Sequence, residues 1–336
     1  MRKREAGRGT RHKFRWDNRM HFYVLRRLLY TLPIILGVTI VCFSFIHLAP
    51  GDPIGAVLPE NASAQVVAEI KAAYGFDRPL PVQYLKWLGR VLGGDFGTSI
   101  MTRRTVISEV APAVANTALL AVTAIGLSFT FGITLGLLAG FSNRRVTDRS
   151  VTAFAVVGIS VPHYWLGMVM VVIFAVLLHS LPATGMGPAG TNILAFTGED
   201  ISHLILPALT LATIPTGVLA RSVRAMVAEV RRQEFVQTLK GKGLRRGRIF
   251  LHIVKNAAPP IMAIMGLQFA QLLGGSILVE TVFAWPGTGF LLNAAIATRD
   301  LPLLQGTVIV LAIFFVLTNL FVDVLQTAVD PRVRRA

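Results

Sequence analysis

Six long uncharged runs alternate with polar segments along this 336-residue chain. They are Leu28–Leu48, Thr117–Phe141, Val151–Leu178, Ile201–Ala220, Ala257–Val279 and Gly306–Val322. About 20 residues rising ~1.5 Å each cover a hydrocarbon core of ~30 Å, so each run predicts a bilayer-crossing helix. The fourth is the weakest, because Pro207 and Pro215 lie inside it. Between the first two runs, two short patterns at helical spacing predict a folded lobe. Val66, Val67, Ile70 and Ala73 form one apolar face, and Leu85, Leu88, Val91 and Leu92 another. The turn Pro50-Gly51-Asp52-Pro53 opens that lobe. After the fifth run, Trp285-Pro286-Gly287-Thr288-Gly289 breaks the helix, and Phe290–Ala297 reads as a short apolar helix against the membrane surface.

Charge gives these runs an orientation. Lys and Arg collect in every second gap, and with six spans and both termini on one side, 26 of the 33 cations share that side. The positive-inside bias makes it cytoplasmic. Deleting the fourth run would place the ten-cation loop from Arg221 to Lys255 outside, so the run is kept as a span. Composition agrees: 53% of residues are hydrophobic and 15% charged, against roughly 25% charged in soluble domains. The net charge of +16 flanks membrane spans, so the expected partner is the lipid bilayer and not nucleic acid. The lone Cys42 excludes an intramolecular disulfide and reads as a small buried hydrophobe. Residues 1–19 form a basic tail expected to be disordered and dispensable, with the more usual membrane-protein start at Met20.

Catalytic signatures are missing. The chain has no G-x-x-x-x-G-K-[ST] phosphate loop, no H-E-x-x-H, no paired Cys for zinc and no G-x-S-x-G. No catalytic, cofactor-binding or metal-binding residues are therefore assigned. Within the spans, Gly132, Gly136 and Gly140 recur every four residues, a groove another helix can approach closely. Pro33, Pro162, Pro207 and Pro215 interrupt intramembrane backbone and supply bends. His163 and Asp323 are ionisable groups within or at the end of spans, and are expected to face protein, water or a salt-bridge partner.

The cation-rich loop predicts a helix over Ala225–Lys240, with Met226, Val230, Val236 and Leu239 apolar, stopped by Gly241 and Gly243. A second helix over Arg246–Asn256 runs to Pro259 and feeds the fifth run. Such a turn, carrying Phe235 among cations, suits insertion into a groove on a partner protein. It equally suits a hairpin lying on anionic lipid.

Longer motifs separate these readings. Glu234-Phe235-Val236-Gln237-Thr238-Leu239-Lys240-Gly241-Lys242-Gly243-Leu244, followed by His252-Ile253-Val254-Lys255-Asn256-Ala257, resembles the cytoplasmic loop of ABC importer permeases of the dipeptide/oligopeptide/nickel type. Co-linear matches include Leu25-Arg26-Arg27-Leu28, Ala49-Pro50-Gly51-Asp52-Pro53, Gly75-Phe76-Asp77-Arg78-Pro79 and Gly94-Asp95-Phe96-Gly97. Further along come Gly158-Ile159-Ser160-Val161-Pro162, Glu280-Thr281-Val282-Phe283, Arg299-Asp300-Leu301-Pro302, Asn319-Leu320-Phe321-Val322-Asp323 and Asp330-Pro331-Arg332. Leu239 and Gly241 replace alanines usual in that loop. The first is expected to alter packing on the partner and the second to loosen the helix end by ~1 kcal/mol. Phe290 stands where a basic residue often follows Pro-Gly-x-Gly.

The resemblance implies an all-α polytopic membrane protein of the type I ABC importer permease fold. Its parts would be a tail over 1–19, an N-terminal span over 20–48, an extracytoplasmic lobe over 49–115 and a five-helix core over 116–336 holding the coupling loop 221–256. It implies a coupling helix built from Glu234, Phe235, Thr238, Leu239, Lys240, Gly241, Gly243 and Leu244. Gly51, Asp52, Pro53, Trp285, Pro286 and Gly287 are candidates for binding-protein docking or a gate. Implied partners are a homologous second permease, two ABC ATPase subunits that bind the ATP, and an extracytoplasmic solute-binding protein, all at a bacterial or archaeal cytoplasmic membrane. Peptides are the expected cargo, with nickel, glutathione or oligosaccharide as alternatives within the family. An energy-independent channel or a membrane-embedded enzyme are the readings outside it.

Overall fold

The computed structural model describes residues 26–44, 78–190 and 197–329. Among them the chain is helical, with only a single bridge pairing Thr98 and Thr105 outside helices and turns. The helices are α1 (Arg26–Ser44), α2 (Leu80–Leu92), α3 (Val106–Phe141), α4 (Arg145–Ser160) and α5 (His163–Met170, widening into a π turn over Val171–Leu177). They continue as α6 (Gly198–Arg232), α7 (Glu234–Gly241), α8 (Arg246–Val282), α9 (Thr288–Ala297) and α10 (Leu301–Val329). Five helices are long and apolar enough to cross a membrane, and a sixth span results if α4 and α5 count as one. The predicted lobe residues 66–73, the turn at Gly51, Asp52 and Pro53, and the tail 1–19 lie outside the described residues.

Two compact units emerge. One contains 26–44, 78–107 and 299–325; the other contains 108–190, 197–298 and 326–329. In the first, α1 and α10 run antiparallel, tied at both ends. Arg27 Nη1 pairs with Asp323 Oδ2 at 2.6 Å, and Gln305 Nε2 donates to the Cys42 carbonyl at 2.7 Å. That ion pair explains how a carboxylate is tolerated at the end of an apolar helix. Asp300 caps α10, accepting from the Leu303 N–H at 3.2 Å and from Ser99 Oγ. On α2, Leu85 and Leu92 are exposed, and the inward positions are Gln83, Tyr84, Trp87, Leu88 and Val91. The expected apolar face is therefore rotated. Tyr84 sets it, meeting Thr39 Oγ1 at 2.8 Å and stacking edge-on against Phe43 at 5.5 Å.

The second unit is organised around α6. This helix covers the run that looked weakest, and it is the most buried candidate span: 67% of its apolar window is buried, against 33% or less in the others. Pro207 and Pro215 do not interrupt it. A helix wrapped by protein needs less apolar surface than one facing lipid, so modest hydropathy here reports burial. Thr197 and Asp200 form a capping box at its start, with Thr197 Oγ1 donating to Asp200 Oδ2 at 2.6 Å. Two differences from the expected spans stand out. The third run is broken: α4 and α5 meet at 100° across Val161 and Pro162. Pro162 confines Val161 to extended geometry, φ −83° and ψ 124°, and cannot donate to the preceding turn. The second cytoplasmic-loop helix does not stop at Pro259. It continues as α8 to Val282 through Pro259 and Pro260.

Gly132, Gly136 and Gly140 face Leu219, Val223 and Val227 of α6. A Cβ added at each would lie 2.7, 2.5 and 2.8 Å from the Cβ of its partner, too close for any real side chain. Gly136 also sits against the Ala220 carbonyl, 2.8 Å from such a Cβ. The matching four-residue repeats let α3 and α6 approach backbone to backbone. Gly217 does the same for α4, where a Cβ would lie 2.7 Å from the Ala155 carbonyl.

Gly136→Val therefore forces α3 and α6 apart at a cost of about 1–3 kcal/mol. The folded yield by fluorescence-detected size exclusion should fall sharply. Gly126→Ala, at a site where an added Cβ meets nothing within 4 Å, should leave it unchanged.

Candidate functional site

The segment between α6 and α8 is a short helix held as a rigid corner. Gln233 leaves helical geometry (φ −68°, ψ 149°), and α7 begins at once. It ends in a Schellman turn. The Leu244 N–H donates to the Leu239 carbonyl at 3.2 Å and the Gly243 N–H to the Lys240 carbonyl at 2.9 Å. Gly243, at φ +72°, occupies the left-handed position that the motif requires. Gly241 is the last helical residue and plays no such part, so the stop belongs to Gly243 alone.

The faces of α7 divide cleanly. Val236 is buried, and Phe235, Leu239 and Leu244 are partly buried against a cluster of Val223, Val227 and Val230 of α6 with Ile249, Ile253 and Ala257 of α8. Glu234, Gln237, Thr238, Lys240 and Gly241 are exposed. Two expectations change. Phe235, read as an aromatic for a partner's groove, packs inward onto its own chain. Leu239, expected to alter contact with a partner, instead supplies the inward half of the Leu239–Leu244 apolar pair that accompanies a Schellman turn.

Polar ties invisible to periodicity brace this corner. Arg231 donates from Nη1 to the Gly140 carbonyl at 2.6 Å and from Nη2 to Asn143 Oδ1 at 3.0 Å, with its guanidinium 5.7 Å over the Phe141 ring. It closes the C-terminal end of α3, where free carbonyls attract a cation. Arg224 grips both oxygens of Asp148, linking α6 to the first turn of α4. The only sequence signal for these was the density of arginines.

The other candidate residues lie at the far end of α8. Trp285 is fully buried and donates from Nε1 to the Asn116 carbonyl at 3.0 Å, while Asn116 Nδ2 donates to the Pro286 carbonyl at 2.8 Å. Buried Glu280 accepts from Thr117 Oγ1 at 2.9 Å and from the Gly289 N–H at 2.7 Å. Gly287 is necessary because a Cβ there would meet Glu280 Oε2 at 2.5 Å and Thr117 Oγ1 at 2.6 Å. Trp285 thus clasps α3 to the turn between α8 and α9, and its side chain offers no docking surface. That part of the expectation is corrected. Nor does a metal site form: among the described residues, no three His, Cys, Asp or Glu side chains cluster to hold an ion.

Comparison with known proteins fits this architecture. Residues 132–335 match the family described as binding-protein-dependent transport system inner membrane component, and residues 20–114 match its N-terminal companion. The chain belongs to this family. Its fold is the type I ABC permease fold, and it is a multi-pass transport component of the membrane. It is 38% identical over 329 residues to the dipeptide transport system permease protein DppB of Alkalihalophilus pseudofirmus, covering 93% of this chain and 99% of the relative. It is 40% identical over 313 residues to the glutathione transport system permease protein GsiC of Salmonella paratyphi A and 37% identical to that of Escherichia coli. Each pairing covers 93% of this chain and 98% of the relative.

Trp285→Ala should destabilise this permease by about 3–5 kcal/mol, through the cavity and the orphaned Asn116 carbonyl. Thermal unfolding in detergent should show the loss. Phe290→Ala, at a partly exposed neighbour, should move the midpoint far less.

Proposed function

We propose that this chain is one half of the pore of an ATP-driven importer for di- and oligopeptides, and that α7 is its coupling helix. The observation that carries the reading is the division of α7 into an inner face fused to α6 and α8 and an outer face of Glu234, Gln237, Thr238 and Lys240 left open. A helix so fixed moves as a lever with its spans. Force applied to the outer face by an ATPase subunit reaches α6 directly, because Val236 and Leu239 share one cluster with Val223 and Val227. This is a bistable switch whose energy comes from a partner chain.

On this reading the cation-rich ends of the spans face the cytoplasm, as the charge bias requires. A homologous second permease completes the pore as a heterodimer, with a homodimer as the alternative. Two ABC ATPase subunits hydrolyse ATP, and an extracytoplasmic solute-binding protein delivers cargo. The names of the relatives favour short peptides, glutathione among them, over nickel or sugars.

Gly243→Leu places a side chain at positive φ, costing about 1–2 kcal/mol, and tilts the corner. With the ATPase and binding-protein subunits supplied in proteoliposomes, ATP-dependent uptake of a labelled dipeptide should disappear while membrane insertion persists. Uptake at the wild-type rate contradicts the lever assignment. A tagged wild-type chain that never captures an ATPase subunit contradicts the importer reading itself.

A further inference from the structure

The inner ends of α3 and α6, the start of α4 and Lys240 of α7 line an open pocket of about 350 Å³. Its cations are Arg144, Arg145, Arg224, Arg231, Arg232 and Lys240, and the one acid in its wall is Asp148. Arg224 already neutralises Asp148. Among the described residues, Arg144, Arg145, Arg232 and Lys240 have no carboxylate partner. Two of these are misplaced by ordinary electrostatics. Arg144 is the N-cap of α4 and Arg145 its first residue, where the helix dipole repels cations, and no side chain caps the first turn. The positive-inside bias explains cations at this level, but their place at the uncapped start of α4 is still electrostatically unfavourable. An anion between these arginines would relieve it.

The pocket does not end in water alone. Through Ser142, Asn143, Arg231 and Lys240 it shares a wall with an open cleft of about 1140 Å³. Apolar residues line that cleft, among them Leu137, Leu138, Phe141, Ile249, Phe250 and Ile253. The Phe141 and Phe250 rings lie 4.8 Å apart between their centroids, aromatic groups at the level where spans end. A basic pocket beside an apolar cleft, at the ends of three membrane helices, has the shape of a whole lipid: headgroup on the arginines, hydrocarbon along the cleft.

We propose that this composite site holds an anionic phospholipid of the cytoplasmic leaflet, with its phosphate on Arg144, Arg145 and Arg232 and an acyl chain against Leu137, Leu138 and Phe250. The proposal rests on the orientation given above. Because Lys240 belongs both to the pocket wall and to α7, the lipid would sit beside the lever and steady it.

The test uses the full transporter, delipidated in mild detergent and offered phosphatidylglycerol and phosphatidylethanolamine, with bound lipid read by native mass spectrometry. Wild type and the control Lys86→Gln, on α2, should retain phosphatidylglycerol preferentially. R144Q/R145Q should retain it roughly tenfold less or weaker still, as expected for the loss of two near-surface cations. Excess inorganic phosphate should not displace it. Equal retention by the variant, equal retention of both lipids, or displacement by phosphate would each overturn the proposal. So would a variant that keeps its lipid and sheds the ATPase subunits, since the patch would then be a protein contact. Failure of the importer reading shows differently: no ATPase subunit co-purifies, yet phosphatidylglycerol is still selected.

Discussion

The close approach of α3 to α6 is the constraint on which the rest depends. Three glycines at four-residue spacing meet Leu219, Val223 and Val227 at distances that exclude even a methyl group. In a bilayer, helices gain little from burying apolar surface against each other, so contact distance and shape dominate. The valines that fill this groove also face the other way, into the cluster that seats α7. A change at the glycines is therefore felt at α7. Arg231, which ties α6 to the Gly140 carbonyl, closes the same seam with a charge where the glycines end.

The opposite end of the unit is held by a different kind of bond. A buried polar clasp forms there: Glu280 accepts from Thr117 Oγ1 and the Gly289 N–H, Thr117 Oγ1 meets Thr288 Oγ1, and Asn116 Nδ2 donates to the Pro286 carbonyl. Hydrogen bonds offset the cost of burying the carboxylate, and Gly287 and Gly289 leave the room it needs to reach in. One end of the unit is thus fixed by shape and the other by directional hydrogen bonds. Both leave α6 central, a helix whose burial explains why it can afford two prolines and modest hydropathy.

Much of this was legible in the sequence, and the failures have physical causes. Uncharged run length located the spans because backbone satisfaction in lipid demands helices. The glycine spacing announced a groove, and Gly243 announced a stop. Hydropathy misjudged the fourth run because it measures compatibility with lipid, whereas α6 is surrounded by protein. Pro162 was visible, but a 100° turn was not, since a proline alone does not say whether neighbours hold a helix straight; Pro207, Pro215, Pro259 and Pro260 stay inside continuous helices. Phe235 and Leu239 were assigned to a partner because their inward direction depends on where α8 returns. The clasp around Trp285 joins residues about 170 positions apart, which no local pattern encodes.

The central claim is that α7 and its spans move as one body. Spin labels at the exposed positions Gln237 on α7 and Arg221 on α6, in the assembled transporter, measure it directly by double electron–electron resonance. The account predicts one narrow intrachain distance distribution, unchanged between nucleotide-free and ATP-trapped states. A distribution that shifts on trapping by about one helical turn, ~5 Å, or that broadens into two populations, would contradict it: α7 would then swing on its own hinge and could not carry force to α6.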